Sequence, residues 1–191
     1  MQTDETADTV LDFWFGPEPG VRRAEWFRKD PAFDALIAER FGALVETALA
    51  HGLDHWAGVP RAALARLIVL DQFTRNIHRG SARAFAGDAL ALAAARELVR
   101  SGWDRGYTGV QRGFVYLPFE HAEDLAAQRE ALRLFGQLER DDPTQRGLLE
   151  WAQKHFEVIA CFGRFPHRNE ALGRASTVEE QVFLAQPGSG F

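Results

Sequence analysis

The chain contains a single cysteine, Cys161, so no internal disulfide can form. Such cysteine use is typical of a reducing cytoplasm, and we expect Cys161 to be a small buried side chain. No apolar run approaches the roughly 18 residues of a membrane span, and the most strongly apolar one, residues 67–70, ends at Asp71. The first ten residues hold three acids and no base, which argues against a signal or transit peptide. These absences predict a cytoplasmic protein with no membrane partner.

Positive charge is also scarce, with a net charge of −5 and lysine only at Lys29 and Lys154. Two stretches differ, because residues 70–83 carry a local charge of +2 and residues 155–177 a local charge of +1. Nucleic-acid binding needs a broad positive face, which this distribution does not provide. We therefore expect no nucleic-acid partner, whereas a small anion remains compatible with either basic stretch.

No alternating strand pattern is present, and apolar residues recur at helical spacing along the whole chain. Asp30-Pro31 predicts a helix start by a capping aspartate and a proline, and Thr177-x-x-Glu180 is a capping box. The predicted helices cover 31 to about 52, 60 to about 78, 84–100, about 111–140 with an interruption at Pro118, 143–162, and 178 to about 186. With short connections between them, the sequence predicts an all-α fold of antiparallel helical hairpins in a single domain, residues 1–191.

Polar and mostly cationic side chains interrupt this pattern in three places, named here the first (residues 70–80), second (162–174) and third (117–124) islands. Such groups cost free energy to bury unless they are paired, so each island marks either a buried ion network or a functional site. The candidate ligand-binding residues are Asp71, Arg75, Asn76, Arg79, His121, Asp124, Arg164, His167, Arg168, Asn169 and Arg174.

The first island lies at the end of a predicted helix, where Asp71, Arg75 and Arg79 follow at four-residue spacing and so share one face. That spacing fits a salt-bridged helix end. It equally fits an arginine-lined anion pocket beside Asn76.

The second island contains too much glycine and proline for a continuous helix, so we predict an ordered loop after a helix. Loops that hold convergent polar groups often carry function, and Arg164, His167, Arg168 and Asn169 would converge here. In the alternative interpretation, the arginines cap helix carbonyls and pair with acids elsewhere.

The third island follows Pro118, and its spacing places Glu120, His121 and Asp124 on one helix face. A carboxylate beside a histidine serves general acid–base chemistry, and it also orients a metal-binding histidine. The chain lacks the His-Glu-x-x-His and Cys-x-x-Cys patterns, so we predict no metal and no cofactor. His155 follows an apolar helix face and is predicted to be a core residue.

Four blocks of the chain run in the same order as the signature of a known family: Val10-Leu11-Asp12-Phe13-Trp14-Phe15-Gly16, Leu70-Asp71-Gln72-Phe73-x-Arg75-Asn76-Ile77-x-Arg79-Gly80, Leu117-Pro118-Phe119-x-His121-x-Glu123-Asp124 and Phe162-Gly163-Arg164-Phe165-Pro166-His167-Arg168-Asn169-x-x-Leu172-Gly173-Arg174. Over about residues 10–184, the chain resembles the bacterial domain-of-unknown-function family 924. The resemblance implies a tetratricopeptide-like helical array and assigns no activity. Thr74, Glu120 and Ala122 depart from the family pattern, which has proline, methionine and serine there.

Three functions fit these residues. The favoured one is a binding module whose Arg/Asn/His cluster holds a small anionic molecule or an acidic peptide. A second is a metal-independent hydrolase or transferase acting on a phosphorylated or carboxylated metabolite, with His121, His167 and Glu123 as candidate catalytic groups. The third is a purely structural ion network. No spacing names a reaction, a ligand or an oligomeric state.

Overall fold

A computed structural model of the chain describes residues 6–190, and this part of the chain is helical without strands. The predicted all-α fold is confirmed. The helices are α1 (Ala7–Phe15), α2 (Pro31–Leu49), α3 (Pro60–Ile68), α4 (Thr74–Ile77), α5 (Asp88–Arg100), α6 (Gly109–His121), α7 (Leu125–Asp141), α8 (Leu148–Phe162) and α9 (Val178–Leu184). A π-helical turn, Val69–Phe73, joins α3 to α4. Short 3₁₀ turns lie at Ala24–Phe27, Asp54–Gly58, Ala82–Phe85, Trp103–Gly106, Pro143–Gln145 and Pro166–Arg168.

Both capping predictions are confirmed. The Asp30 carboxylate accepts hydrogen bonds from the amides of Ala32 and Phe33, at 3.0 and 3.2 Å, and so satisfies amides that α2 leaves unpaired. Thr177 and Glu180 each accept the other's backbone amide, at 3.2 and 2.8 Å, and begin α9.

The main core is one contiguous apolar cluster that draws residues from α1 through α8. In it, α7 packs on both α6 and α8, α5 packs on α3 and α6, and α2 packs on the π turn and α4. A second, small cluster of Val158, Ile159 and Phe165 holds the second island against α8. The tetratricopeptide-like arrangement stays a prediction. No helix within residues 6–190 is both long and apolar enough to cross a membrane.

The predicted interruption at Pro118 is wrong, because α6 continues through this buried residue to His121. The helix is interrupted instead at residues 122–124, and the side chains of Gln128 and Asp124 determine this position. The Gln128 amide donates to the carbonyls of Glu120 and Ala122, at 2.6 and 2.8 Å, and closes the end of α6. The Asp124 carboxylate accepts from the amide of Ala127 at 2.7 Å and begins α7.

Three other predictions need correction. The helix predicted from residue 143 is a three-residue 3₁₀ turn, and α8 begins only at Leu148, after Gly147 with φ of 97°. The helix predicted from residue 84 begins at Asp88. Cys161 is exposed rather than buried, because the inward face of α8 at this end is formed by Val158 and Ile159.

Candidate functional site

The first and third islands meet at the carboxylate of Asp71, which is 0% exposed. Its Oδ1 accepts from Nδ1 of His121 at 2.7 Å and from Nη1 of Arg75 at 3.2 Å. The amide of Gln72 donates to the other oxygen, Oδ2. The i,i+4 pairing of Asp71 with Arg75 is therefore confirmed, and the histidine joins it from a helix 50 residues further along the chain.

The π turn positions this carboxylate. A π turn holds one residue more than an α-turn, and such turns recur at functional sites. The hydroxyl of Thr74 donates to the carbonyl of Val69 at 3.1 Å and closes the turn from within. Gly87 lies directly against it, since a β-carbon at this position would be 2.1 Å from the Leu70 carbonyl oxygen. This close approach places Asp88, the first residue of α5, beside the first island.

Asp88 joins the second island to the first. It accepts two hydrogen bonds from Arg75, Nη1 to Oδ1 at 2.7 Å and Nη2 to Oδ2 at 3.1 Å. The same Oδ2 accepts from Nη1 of Arg168 at 3.1 Å. One carboxylate thus lies between two guanidinium groups, and the basic stretches that are 93 residues apart in sequence become neighbours.

Two aromatic rings and a backbone carbonyl also contact the Arg168 guanidinium. The guanidinium lies between the rings of Phe85 and Phe165, with its central carbon 4.6 and 4.5 Å from the two ring centroids. Its Nη2 donates to the His121 carbonyl at 2.9 Å, where a cation also suits the carboxyl end of α6. Its buried Nε has no hydrogen-bond partner among residues 6–190.

The ionisation of these groups follows from burial and from neighbouring charge. Burial raises the pKa of Asp71, but the contacts with His121 and Arg75 outweigh it and hold the pKa at about 2. Burial and the charge of Arg75 lower the pKa of His121. Burial, then Arg75, lowers the pKa of Arg168 to about 10, and burial, then Arg168, lowers that of His167 to about 4. The protein environment thus disfavours the protonated, positively charged forms of His121, His167 and Arg168.

Glu123 supports the second island from the third. Its carboxylate accepts a bidentate pair of hydrogen bonds from Arg174, at 2.7 and 2.9 Å, and also one from the amide of Phe165 at 2.8 Å. Arg174 in turn donates to Oδ1 of Asn169 at 2.9 Å. These contacts fix the path of residues 165–174. They agree with the alternative interpretation of the second island, in which its arginines pair with acids elsewhere in the chain.

A second carboxylate, Glu180 of α9, holds the opposite side of the loop. It accepts from Arg164 twice, at 2.6 and 2.8 Å, and from Asn169 at 3.1 Å. The contacts with Arg164, followed by the hydrogen bond from the Thr177 amide, lower the pKa of Glu180 to about 2 despite burial. The loop is therefore closed between two carboxylates, Glu123 and Glu180.

The remaining candidates lie outside the meeting point. Asn76 donates to Asp34 of α2 at 2.7 Å, and the Arg79 guanidinium donates to it at 2.7 and 2.9 Å. Arg79 therefore does not lie with Asp71 and Arg75, contrary to the prediction from its four-residue spacing. Asp124 is the cap of α7. The single helix face predicted for Glu120, His121 and Asp124 is therefore wrong, because α6 ends between them.

Glu120 points into the core and contacts another buried side chain. Its Oε1 lies 3.2 Å from Nδ1 of His155, and both residues are buried, which confirms His155 as a core residue. Burial, with Asp71 nearby, raises the pKa of Glu120 to about 8. Burial lowers the pKa of His155 to about 3. This pair is therefore neutral at pH 7.

The structure thus gathers Asp71, Arg75, His121 and Arg168 into one cluster, with His167 beside it, which we name the central cluster. Sequence reasoning missed Asp88 and Gln72, which complete it. The Gly-Asp dipeptide before the alanine-rich helix marks a helix start, and nothing in it indicates a partner for Arg75 or Arg168. Among residues 6–190, no group of three or more His, Cys, Asp or Glu side chains is placed to hold a metal ion.

Comparison with known proteins gives a family and a structural relative. A family model described as bacterial protein of unknown function (DUF924) matches residues 10–188. The chain is similar to the solved structure of a protein of unknown function from Agrobacterium tumefaciens, ATU0120, with 40% identity and a TM-score of 0.82. That similarity covers 94% of this chain and 96% of the other. No curated protein matches the chain.

Proposed function

The chain belongs to the DUF924 family of bacterial proteins of unknown function, and we propose that it is a binding module for a small anion at the central cluster. The observation that carries the proposal is the orientation of His121. Its Nδ1 is held by the buried Asp71, whereas its Nε2 has no hydrogen-bond partner among residues 6–190. The side chain of His121 is 16% exposed, so this nitrogen is the polar atom that a ligand would meet.

The charges around His121 support an anion rather than a cation. Asp71 and Asp88 balance Arg75 and Arg168, so the four groups sum to zero while the imidazole is neutral. Within this balance, the guanidinium of Arg168 and the imidazoles of His121 and His167 all have lowered pKa values. An added negative charge would raise each of them, and it would offer the buried Nε of Arg168 an acceptor nearby.

Binding would therefore be linked to uptake of a proton. An anion at Nε2 favours the imidazolium form of His121, which Asp71 already stabilises from the other side. Because free His121 has a lowered pKa, the proton is taken up on binding, and affinity rises as the pH falls. The small accessible area favours a carboxylate- or phosphate-sized group over a long acidic peptide.

An enzymatic function rests on the same dyad. A histidine whose Nδ1 is held by a buried aspartate is the arrangement of a general base, so a metal-independent hydrolase or transferase is the second candidate. His121 would move the proton. Glu123 and His167 are less suited, since the former is fully engaged by Arg174 and Phe165 and the latter has a pKa of about 4.

Calorimetric titration with sulfate tests the proposal, because the charge of sulfate is constant between about pH 6 and about pH 8, on either side of the ordinary histidine pKa. We expect tighter binding at the lower pH and proton uptake from buffer. In His121→Asn, which retains a donor toward Asp71 and lacks Nε2, the pH dependence should vanish. The matched control is His55→Asn at an exposed histidine.

Three results would overturn the proposal. One is the absence of heat from sulfate, phosphate and acetate alike. Another is an unchanged pH dependence in His121→Asn. The last is an unchanged anion affinity in Arg168→Lys. A loss of affinity is expected there, because lysine cannot reproduce the guanidinium contacts. Release of product from phosphate or carboxylate esters, lost in His121→Asn, would favour the enzyme instead.

A further inference from the structure

A cavity of about 420 Å³ lies on another side of the molecule, between α5, α6, α7 and the Trp103–Gly106 turn. Its walls combine apolar side chains, among them Val99 and Leu134, with polar and charged ones, among them Asp104, Arg105 and Tyr116. Its volume falls within the range of small-molecule sites. None of the three islands contributes to it.

Asp104 is the unusual residue of this cavity, because it is only 4% exposed and half of its carboxylate is unsatisfied. Oδ2 accepts from the hydroxyl of Tyr116 at 2.6 Å, whereas the buried Oδ1 has no hydrogen-bond partner among residues 6–190. A buried carboxylate oxygen without a donor costs free energy, and native structures rarely retain one without a reason.

The other acids and bases of the cavity are already paired, with one exception. Arg112 donates to Asp141 at 2.9 Å and also to the Tyr116 hydroxyl at 3.2 Å. Arg133 forms a bidentate pair with Glu130, at 2.6 and 2.9 Å. The exposed Arg105 has no ion-pair partner within the described part of the chain. Within residues 6–190, Oδ1 of Asp104 is thus left without a hydrogen-bond donor and the adjacent Arg105 without an ion-pair partner.

From this pattern we propose that the cavity binds a small zwitterion of amino-acid size. Its ammonium group donates to Oδ1 of Asp104, and its carboxylate pairs with Arg105 at the rim. Asp104 lines the cavity, but its Oδ1 is buried, so the side chain must turn slightly toward the cavity and the donor that meets it must be small, which suits an ammonium group. Val99 and Leu134 provide an apolar surface for the remainder of the ligand.

Thermal-shift and calorimetric titration of the whole protein with the common L-amino acids test this proposal. Ethanolamine and acetate serve as probes that carry only one of the two charges. We expect at least one amino acid to bind, and each half-probe to bind on the order of 10–100-fold more weakly, as expected for the loss of a charge-assisted contact. Asp104→Asn, which keeps the shape of the side chain and an acceptor for Tyr116, should abolish binding.

Arg105→Gln provides the second variant, because this exposed residue can change without loss of the fold. It should weaken the amino acid and leave ethanolamine unaffected, and Arg146→Gln, exposed and away from the cavity, is its control. No binding by any amino acid would overturn the proposal. So would equal affinity for ethanolamine alone, or equal binding by wild type and both variants. Because acetate also probes the central cluster, these titrations are carried out in His121→Asn, so the two sites succeed or fail separately.

Discussion

Gly87 lies against the backbone of Leu70 so closely that a β-carbon on Gly87 would be 2.1 Å from the Leu70 carbonyl oxygen. The backbone of Gly87 itself has an ordinary φ of −86°, so it is the contact, and not the conformation, that demands glycine. The start of α5 and the π turn are thereby packed backbone to backbone, and Asp88 reaches Arg75.

The first prediction is that Gly87→Ala destabilises the fold. A methyl group there must push α5 away from the π turn, and we expect a loss of about 1–3 kcal/mol in the free energy of unfolding, measured in urea. Gly42→Ala is the control, because a β-carbon in the middle of α2 has no atom within 4 Å. That change should be neutral or stabilising by up to about 1 kcal/mol. Equal effects of the two would contradict the contact.

The second prediction concerns the charge of Asp71. Asp71→Asn leaves Arg75 and His121 around a neutral amide in a buried place, so we expect a loss of about 3–5 kcal/mol. Asp12→Asn, at an exposed carboxylate of α1, should change stability by no more than about 0.5 kcal/mol. Urea unfolding at pH 7 compares them. A loss under about 1 kcal/mol for Asp71→Asn would mean that the network contributes little to the fold.

The third prediction is a dependence of stability on pH that arises from Glu120. Its folded pKa of about 8 lies above the ordinary value of 4.5, so the folded protein holds a proton that the unfolded chain has released. Stability from this group is complete below pH 4.5 and is lost as the pH rises toward about 8, at roughly 1 kcal/mol per pH unit.

Glu120→Gln removes that titration and should flatten the difference in stability between pH 6.5 and 8. His155 does not obscure the comparison, because its lowered pKa of about 3 affects stability only below its ordinary 6.5. The control is Glu39→Gln on the exposed face of α2. Parallel curves for wild type and Glu120→Gln would show that Glu120 is ionised in the folded protein.

The fourth prediction is local rather than global. Glu180→Gln weakens contacts with Arg164, Asn169 and Thr177 and should loosen residues 164–184 from the rest of the molecule. We expect faster proteolytic cleavage within this segment and little change in the cooperative unfolding of the main core. Glu179→Gln, at the exposed neighbouring carboxylate, should cleave at the wild-type rate. The same rate in both variants would contradict the role given to Glu180.

Local signals in the sequence predicted the starts of α2 and α9 correctly. Asp30 and Thr177 act on amides two or three residues away, so their effect can be read directly. Pro118 misled because its local cost is outweighed by burial, and because the end of α6 is set by Gln128, a residue of the next helix. The burial of Cys161 was predicted wrongly, because the orientation of α8 depends on the packing of Phe165, in the second island, against Val158 and Ile159.

The candidate site was predictable in part. The polar islands identify Asp71, Arg75 and His121 as candidates, but only the fold shows that they meet and through which atoms. Asp88 could not be identified, since a single aspartate at a helix start is ordinary and its partners lie 13 and 80 residues away. The same holds for Asp34, which takes Asn76 and Arg79 away from the central cluster. Long-range pairing of charges leaves no periodic trace in a sequence.

The π turn also sets the rotation of α4 relative to α3 about their common helix axis. One additional residue rotates everything after it by about 100° relative to an uninterrupted α-helix. Leu67 and Ile68 before it, and Phe73 within it, are all fully buried. Deleting Val69 or Leu70 would therefore turn the Asp71 carboxylate relative to α3, and away from His121, without changing a single partner residue. The spacing of this segment, as much as its chemistry, carries the site.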